Sequence, residues 1–189
     1  PGVIIDYLAQ SVLCFGDTNG AIFLEMDSIY APQNIIWSNG DTTSYIDSLI
    51  SGNYFVTATD MRGCIDTMSL DVLSPPPLSL STNYNPLLCY GAENGEVVIQ
   101  AFGGTPGYSY YLNNIEYEDS IISNLGEGTH LVLVSDSNNC SQEFEFELTE
   151  PLPISFNSNL SSYNNFGVSA ADESDGSIDI SVTGGTGIY

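Results

Sequence analysis

The chain has 189 residues, with 24 acidic side chains against a single basic one, Arg62, and a net charge of −23. One cation cannot neutralise a phosphate backbone or hold a protein on an anionic membrane, so nucleic-acid binding and membrane docking are excluded. No apolar run approaches the roughly 20 residues of a membrane helix, so no direct membrane insertion is expected. The 12 Tyr and 8 Phe, with plentiful Thr, Ser, Val and Ile, favour strands. Runs of strong helix formers are missing. The chain opens at Pro1 with no export signal, so an internal segment of a longer exported protein is expected.

In chain order, period-two alternation predicts strands near 3–9, 20–26, 33–38, 43–48, 53–60 and 64–72. Ile22, Leu24 and Met26 share one face, as do Tyr54, Val56 and Ala58. Asn19-Gly20, Asn39-Gly40 and Asn94-Gly95 read as turn dipeptides that accept positive φ. Leu49-Ile50-Ser51-Gly52-Asn53-Tyr54 reads as a tight corner leading into a central strand. Trp37, beside Ile35 and Ile36, reads as core. Six or seven short strands in about 75 residues indicate an immunoglobulin-like β-sandwich.

The pattern then recurs. Cys14-Phe15-Gly16-Asp17-Thr18-Asn19-Gly20 matches Cys89-Tyr90-Gly91-Ala92-Glu93-Asn94-Gly95 at a shift of 75 residues. Thr59-Asp60-Met61-Arg62-Gly63-Cys64 matches Ser135-Asp136-Ser137-Asn138-Asn139-Cys140 at 76. A third copy follows Pro151, where Asp175-Gly176 repeats the Asn-Gly pair and Gly184-Gly185-Thr186 repeats Gly103-Gly104-Thr105. The expected architecture is all-β, as tandem immunoglobulin-like β-sandwich modules at 1–75, 76–151 and 152–189. The third is about half a module, so the parent protein is expected to continue beyond Tyr189. The linkers Ser74-Pro75-Pro76-Pro77 and Glu150-Pro151-Leu152-Pro153 should be stiff, because proline fixes φ. Stiffly linked modules would form a rod.

Each full module has two cysteines, and an even count in a strand-rich acidic chain reads as disulfides in an oxidising compartment. The expected pairs are Cys14–Cys64 and Cys89–Cys140. Closing such a loop contributes roughly 4 kcal/mol in the chain-entropy model, against the roughly 5–15 kcal/mol that holds a domain folded. With six up-and-down strands the two cysteines of a module lie at one pole; with seven they lie at opposite poles and cannot bond. Six strands and the bond are the reading taken. Zinc is not expected, since no C-x-x-C pair is present.

The motifs run Cys-aromatic-Gly-x-x-Asn-Gly, Gly-Gly-Thr-Pro-x-Tyr, Trp-Ser-Asn-Gly-x-Thr-Thr, Leu-x-x-Gly-x-Tyr-x-Val-Thr-x-Thr-Asp and Gly-Cys. They are carried by Trp37-Ser38-Asn39-Gly40-Asp41-Thr42-Thr43, by Gly52–Asp60 and by Gly103-Gly104-Thr105-Pro106-Gly107-Tyr108. The series resembles the SprB repeat of very large surface adhesins of gliding Bacteroidota. The resemblance implies export by the type nine secretion system, anchoring at the outer surface, and adhesion or gliding. The partners it implies are external surfaces or polysaccharide, with outer-membrane gliding and secretion machinery reached through other parts of the parent chain. The sequence departs from the pattern at Asp27–Pro32, where Gly-Gly-Thr-Pro is expected, and at Leu112-Asn113-Asn114, where Trp-Ser-Asn is expected.

No catalytic residue is expected. The one histidine, His130, stands at the position of Tyr54 and reads as a side chain on a sandwich face. Glu116, Glu118 and Asp119 are carboxylates without the cleft a glycosidase needs. Calcium, which takes six to eight oxygens, is the one cofactor considered, with Asp17, Asn19, Glu93, Asp172 and Asp175 as candidate ligands. None of these loops has EF-hand spacing, and turn formation is their plainer use. Asp60 and Asp136, just before the last turn of each module, are expected to bond the backbone of that turn. Tyr30, Trp37, Tyr110 and Tyr111 are the candidates for an aromatic glycan platform. The main functional expectation is a non-enzymatic stalk segment of a cell-surface adhesin. The alternative is a carbohydrate-binding or spacer module of a secreted polysaccharide-degrading enzyme.

Overall fold

A computed structural model describes residues 3–26 and 32–189. Every regular element in it is a strand. The first repeat forms β1 (Ile4–Gln10), β2 (Gly20–Met26), β3 (Pro32–Trp37), β4 (Tyr45–Leu49), β5 (Gly52–Asp60) and β6 (Ile65–Val72). These make two sheets, in the orders β1-β2-β4 and β3-β5-β6. That is the ABE and CFG arrangement of an immunoglobulin-like sandwich without strand D. Alternation buries Ile22 and Leu24 of β2, Ile46 and Leu49 of β4, Val56 and Ala58 of β5, and Leu70 and Val72 of β6 in one core. Trp37, 2% exposed, lies in this core, and its indole N–H donates to the Thr43 carbonyl at 2.8 Å. The hydroxyl of Tyr54 donates to the Ile50 carbonyl at 3.0 Å. This is the tyrosine corner that fixes the entry into strand F.

Strand direction decides where the cysteines can lie. Gln10 pairs near the start of β2, Gly20 pairs with Leu49, and Gly52 pairs with Val72, so β1, β4 and β6 all end at one pole. β3 begins opposite Asp60, at the other pole. The chain therefore crosses between sheets from β3 to β4 without reversing, and β1 runs parallel to β6. The amide of Ile4 meets Asp66 Oδ2 at 3.2 Å at one end, and Val12 N–H donates to Leu73 O at 3.0 Å at the other.

This geometry overturns both expected disulfides. Cys14 follows the end of β1, whereas Cys64 precedes β6, whose eight residues span about 26 Å. A disulfide tolerates a Cα separation of at most about 7 Å. The six strands are present, but they are not up-and-down. The structure bonds Cys14 to Cys140 instead, with Cα atoms 5.6 Å apart, and leaves Cys64 and Cys89 as free thiols. The Cys89–Cys140 pairing fails for the same reason. Cys140 directly precedes the last strand of its repeat, while the Cys89 loop is tied past that strand's end through Leu87 N–H to Thr149 O at 3.1 Å.

The second repeat supplies β7 (Ser79–Tyr84), β8 (Gly95–Phe102), β9 (Ser109–Leu112), β10 (Ile115–Tyr117), β11 (Ile121–Leu125), β12 (Gly128–Ser135) and β13 (Ser141–Leu148). Their orders are β11-β8-β7 and β10-β9-β12-β13. The extra strand, β10, hairpins back on β9 through Asn113 and Asn114, both at positive φ, as a two-residue hairpin turn requires. β14 (Ser155–Leu160) and β15 (Ile178–Thr183) pair antiparallel in the third repeat. Gly20 and Gly95 are not positive-φ turn residues; each opens a strand where a Cβ would strike the Leu49 or Leu125 carbonyl. Compactness divides the chain into Pro1–Ser81 with Gln100–Glu118 and Leu133–Phe144, and Thr82–Ile99 with Asp119–Val132 and Glu145–Tyr189.

Trp37→Ala leaves a large cavity in the first core and is expected to lower stability by about 3–5 kcal/mol in chemical denaturation.

Candidate functional site

The first compact unit contains the proline-rich segment between the first two repeats and the groups that hold it. Proline has no N–H, so a run of prolines leaves carbonyls that need outside donors. The loop Gly103-Gly104-Thr105 supplies one: Gly104 N–H donates to the Pro76 carbonyl at 2.9 Å. Both glycines have positive φ, 75° and 58°, and a Cβ on Gly103 would fall on the Pro77 carbonyl oxygen. Tyr108 ties the loop by donating its hydroxyl proton to the Gly103 carbonyl at 2.7 Å. The segment in the second unit is held the same way, by Gly185 N–H on the Leu152 carbonyl at 2.7 Å, with Gly184 against Pro153. The corresponding stretch of the first repeat, Asp27–Pro32, lies almost wholly outside the described residues, as does Tyr30.

The hairpin before β13 locks this loop. Asp136, 4% exposed, accepts from Asn138 N–H and Cys140 N–H, both at 2.9 Å, through Oδ1. Its Oδ2 accepts from Thr105 N–H at 2.7 Å. Asn138 Nδ2 then donates to Thr105 Oγ1 at 3.0 Å and to the Leu13 carbonyl at 2.9 Å. Beside that contact, Cys140 is bonded to Cys14. The expectation for the two hairpin aspartates is met, since Asp60 accepts from Arg62 N–H and Cys64 N–H, both at 2.8 Å. The first repeat's aspartate uses Arg62 on its other oxygen, with Nη2 at 3.2 Å and Nε at 3.3 Å.

Both carboxyls are held below the ordinary aspartate range. For Asp60 the main cause is the Cys64 N–H bond. For Asp136 burial pushes upward, and the combined N–H bonds of Thr105, Cys140 and Asn138 outweigh it. A lowered folded-state value stabilises the fold fully above the unfolded aspartate value of 3.8, and that contribution is lost as pH falls through the folded value.

Three of the calcium candidates, Asp17, Asn19 and Asp175, accept hydrogen bonds within their own loops. Asp17 Oδ2 accepts from Cys14 N–H at 3.2 Å and from Asn19 Nδ2 at 3.0 Å, while Asn19 Oδ1 accepts from Leu13 N–H at 3.0 Å. They shape the Cys14 loop. Asp175 accepts from Ser169 N–H at 3.0 Å. Glu93 and Asp172 are exposed. Among the described residues, no three His, Cys, Asp or Glu side chains gather as a metal site. Trp37 is buried, and Tyr110 and Tyr111 are half-buried in β9, so these three form no open aromatic platform. His130 takes the place of the corner tyrosine, its Nε2 3.1 Å from the Gly126 carbonyl, and stacks on Phe146 at 5.3 Å.

The residues that build the joint, namely the glycine pair, Thr105 and Asn138, do not stand out as a site in the sequence. The signal that points to them is the joint recurrence of Gly-Gly-Thr and the Pro-rich linker in two copies.

The SprB repeat family model matches residues 81–116 and 171–189. Over these two segments the chain is similar to the SprB repeat. The matched segments hold both Gly-Gly-Thr loops and the Cys89 loop, and the first repeat lies outside them. No curated protein matches. Among solved structures, the C-terminal 282-residue fragment of intimin, in complex with the intimin-binding domain of its translocated receptor, is similar over 82% of this chain and 67% of its own, at 16% identity and a TM-score of 0.46. Extracellular domains 3–5 of Drosophila OTK align over 78% of this chain and 62% of theirs, at 15% identity and a TM-score of 0.41. A Dscam structure aligns over 77% and 47%, at 12% identity and a TM-score of 0.34. The immunoglobulin-like assignment stands on strand order.

The joint yields two expected outcomes. Gly103→Ala is expected to destabilise the chain by about 2 kcal/mol or more and to speed proteolysis within 74–78. Asp136→Asn is expected to flatten the loss of stability below about pH 4, measured by denaturant midpoints across an acid titration.

Proposed function

We propose that these repeats are a stalk segment of a secreted, non-enzymatic adhesin at the outer surface of the cell, serving surface attachment and gliding. On this reading the modules divide at 1–75, 76–151 and 152–189. They would be exported by the type nine system and anchored through other parts of the parent protein. The observation that carries the proposal is the joint. A segment that must transmit load between modules gains from having its linker hydrogen-bonded in place and its neighbours joined covalently. The match to the SprB repeat supports a surface adhesin, and the charge of −23 supports a hydrated, self-repelling surface polymer. External surfaces or polysaccharide would be the contacted partners.

Beads coated with antibodies to these repeats are expected to bind living source cells and be carried along them. Beads that bind and stay still would remove the gliding role. Protein found only in the medium, with no bead binding, would overturn the surface reading in favour of a secreted module.

A further inference from the structure

The outer face of the sheet β1-β2-β4 carries an apolar row. Ile22, Leu24 and Ile46 point into the core, so the residues between them face outward. Leu8 pairs with Phe23, and Phe23 pairs with Tyr45, which sets the three side chains in one line across the width of the sheet. They are 69%, 46% and 51% exposed. An antiparallel sheet ordinarily gives its solvent face to polar residues. The fold does not require aromatic rings here. The second repeat builds the same strand pair with Val98 opposite Ile121, at the positions of Phe23 and Tyr45.

Polar groups border the row on both sides. Asp6 stands directly opposite Glu25 on one side, and Gln10 and Asp47 lie on the other, all four exposed. Like charges directly opposite on paired strands oppose folding, so a cation between Asp6 and Glu25 relieves a repulsion. The single basic side chain, Arg62, is engaged with Asp60 in the hairpin before β6.

These features select the occupant. A second copy of the chain would set Asp6, Glu25 and Asp47 against like charges. A specific protein interface buries roughly 1,000 Å² or more, which would extend past the row into its acidic border. Adjacent strands lie about 4.8 Å apart, so the row spans about 10 Å, comparable to a disaccharide. A hexose ring offers an apolar C–H face to an aromatic ring, and an ammonium group is drawn to ring faces and to carboxylates.

We propose that Leu8, Phe23 and Tyr45 form a binding strip for a polysaccharide of amino sugars with free amines. The sugar rings lie on Phe23 and Tyr45, with Leu8 extending the apolar floor. The ammonium groups meet Asp6, Glu25 and Asp47, and Gln10 bonds hydroxyls. The inference rests on the surface-adhesin reading, whose external partner it names. The two fail separately, because antibody-coated beads report surface location and transport whether or not the strip takes sugar.

The test is calorimetric titration of the chain, its Cys14–Cys140 bond intact, with a chitosan-type glucosamine oligomer. Mildly acidic buffer keeps the amines charged, and physiological ionic strength screens general attraction to an acidic protein. Phe23→Val with Tyr45→Ile installs the second repeat's side chains without changing the net charge. The expected result is saturable binding, weakened about tenfold or more in this double variant. The N-acetylated oligomer, which lacks the charge, is expected to bind more weakly by a similar factor. Asp6→Asn with Glu25→Gln, which keeps the apolar row, is expected to weaken the glucosamine oligomer and leave the N-acetylated one unaffected. Absence of binding by the unaltered chain overturns the proposal. Equal binding by the Phe23/Tyr45 variant also overturns it, since the attraction is then charge alone. Equal binding of the N-acetylated oligomer overturns the amino-sugar assignment.

Discussion

The crossing from β3 to β4 without reversal sets the rest of the structure. It makes the first and last strands of a repeat parallel and sends their two cysteines to opposite poles. A cysteine pair so placed cannot close its own sandwich; it can only reach out of each end. The core must then hold without an internal bridge, and it does so with Trp37 and the alternating faces of β2, β4, β5 and β6. The stabilising effect of the bond falls elsewhere. Closing the 126-residue separation between Cys14 and Cys140 corresponds to about 5 kcal/mol in the chain-entropy model, directed at the joint between repeats.

The joint shows how a chain almost without cations fixes its polar groups. Backbone N–H groups do what lysine or arginine would do in a more balanced protein. Asp136 collects three of them, and the proline linker collects one. Gly103 is required because the loop must approach the Pro77 carbonyl at a distance no side chain allows, and a Cβ on Gly104 would crowd the Asp136 carboxylate. In the first repeat Arg62 occupies the second oxygen of Asp60. The same carboxylate position is thus satisfied by a neighbouring loop in one repeat and by its own hairpin in the other.

Much of this was legible in the sequence. Alternation placed the six strands of the first repeat within a few residues, and the corner before Tyr54 and the buried Trp37 followed from local pattern. The hairpin aspartates were readable because a short acid two and four residues before its donors closes a turn. The disulfide pairing was not readable, since cysteine spacing carries no information about strand direction. Two cysteines per repeat resemble a closed pair whether they bond within a repeat or between repeats. The added strand β10 hid in Asn113-Asn114, where two adjacent asparagines replaced the expected Trp-Ser-Asn. Gly20 and Gly95 look like turn glycines in sequence, yet they serve close approach.

The most direct test of the account is to stretch a single oxidised chain between its two ends and measure the contour gained when the disulfide is reduced. A bond between Cys14 and Cys140 shields 126 residues, so reduction should add about 430 Å. A gain of about 340 Å would mean that each repeat closes its own cysteine pair, and would contradict the account.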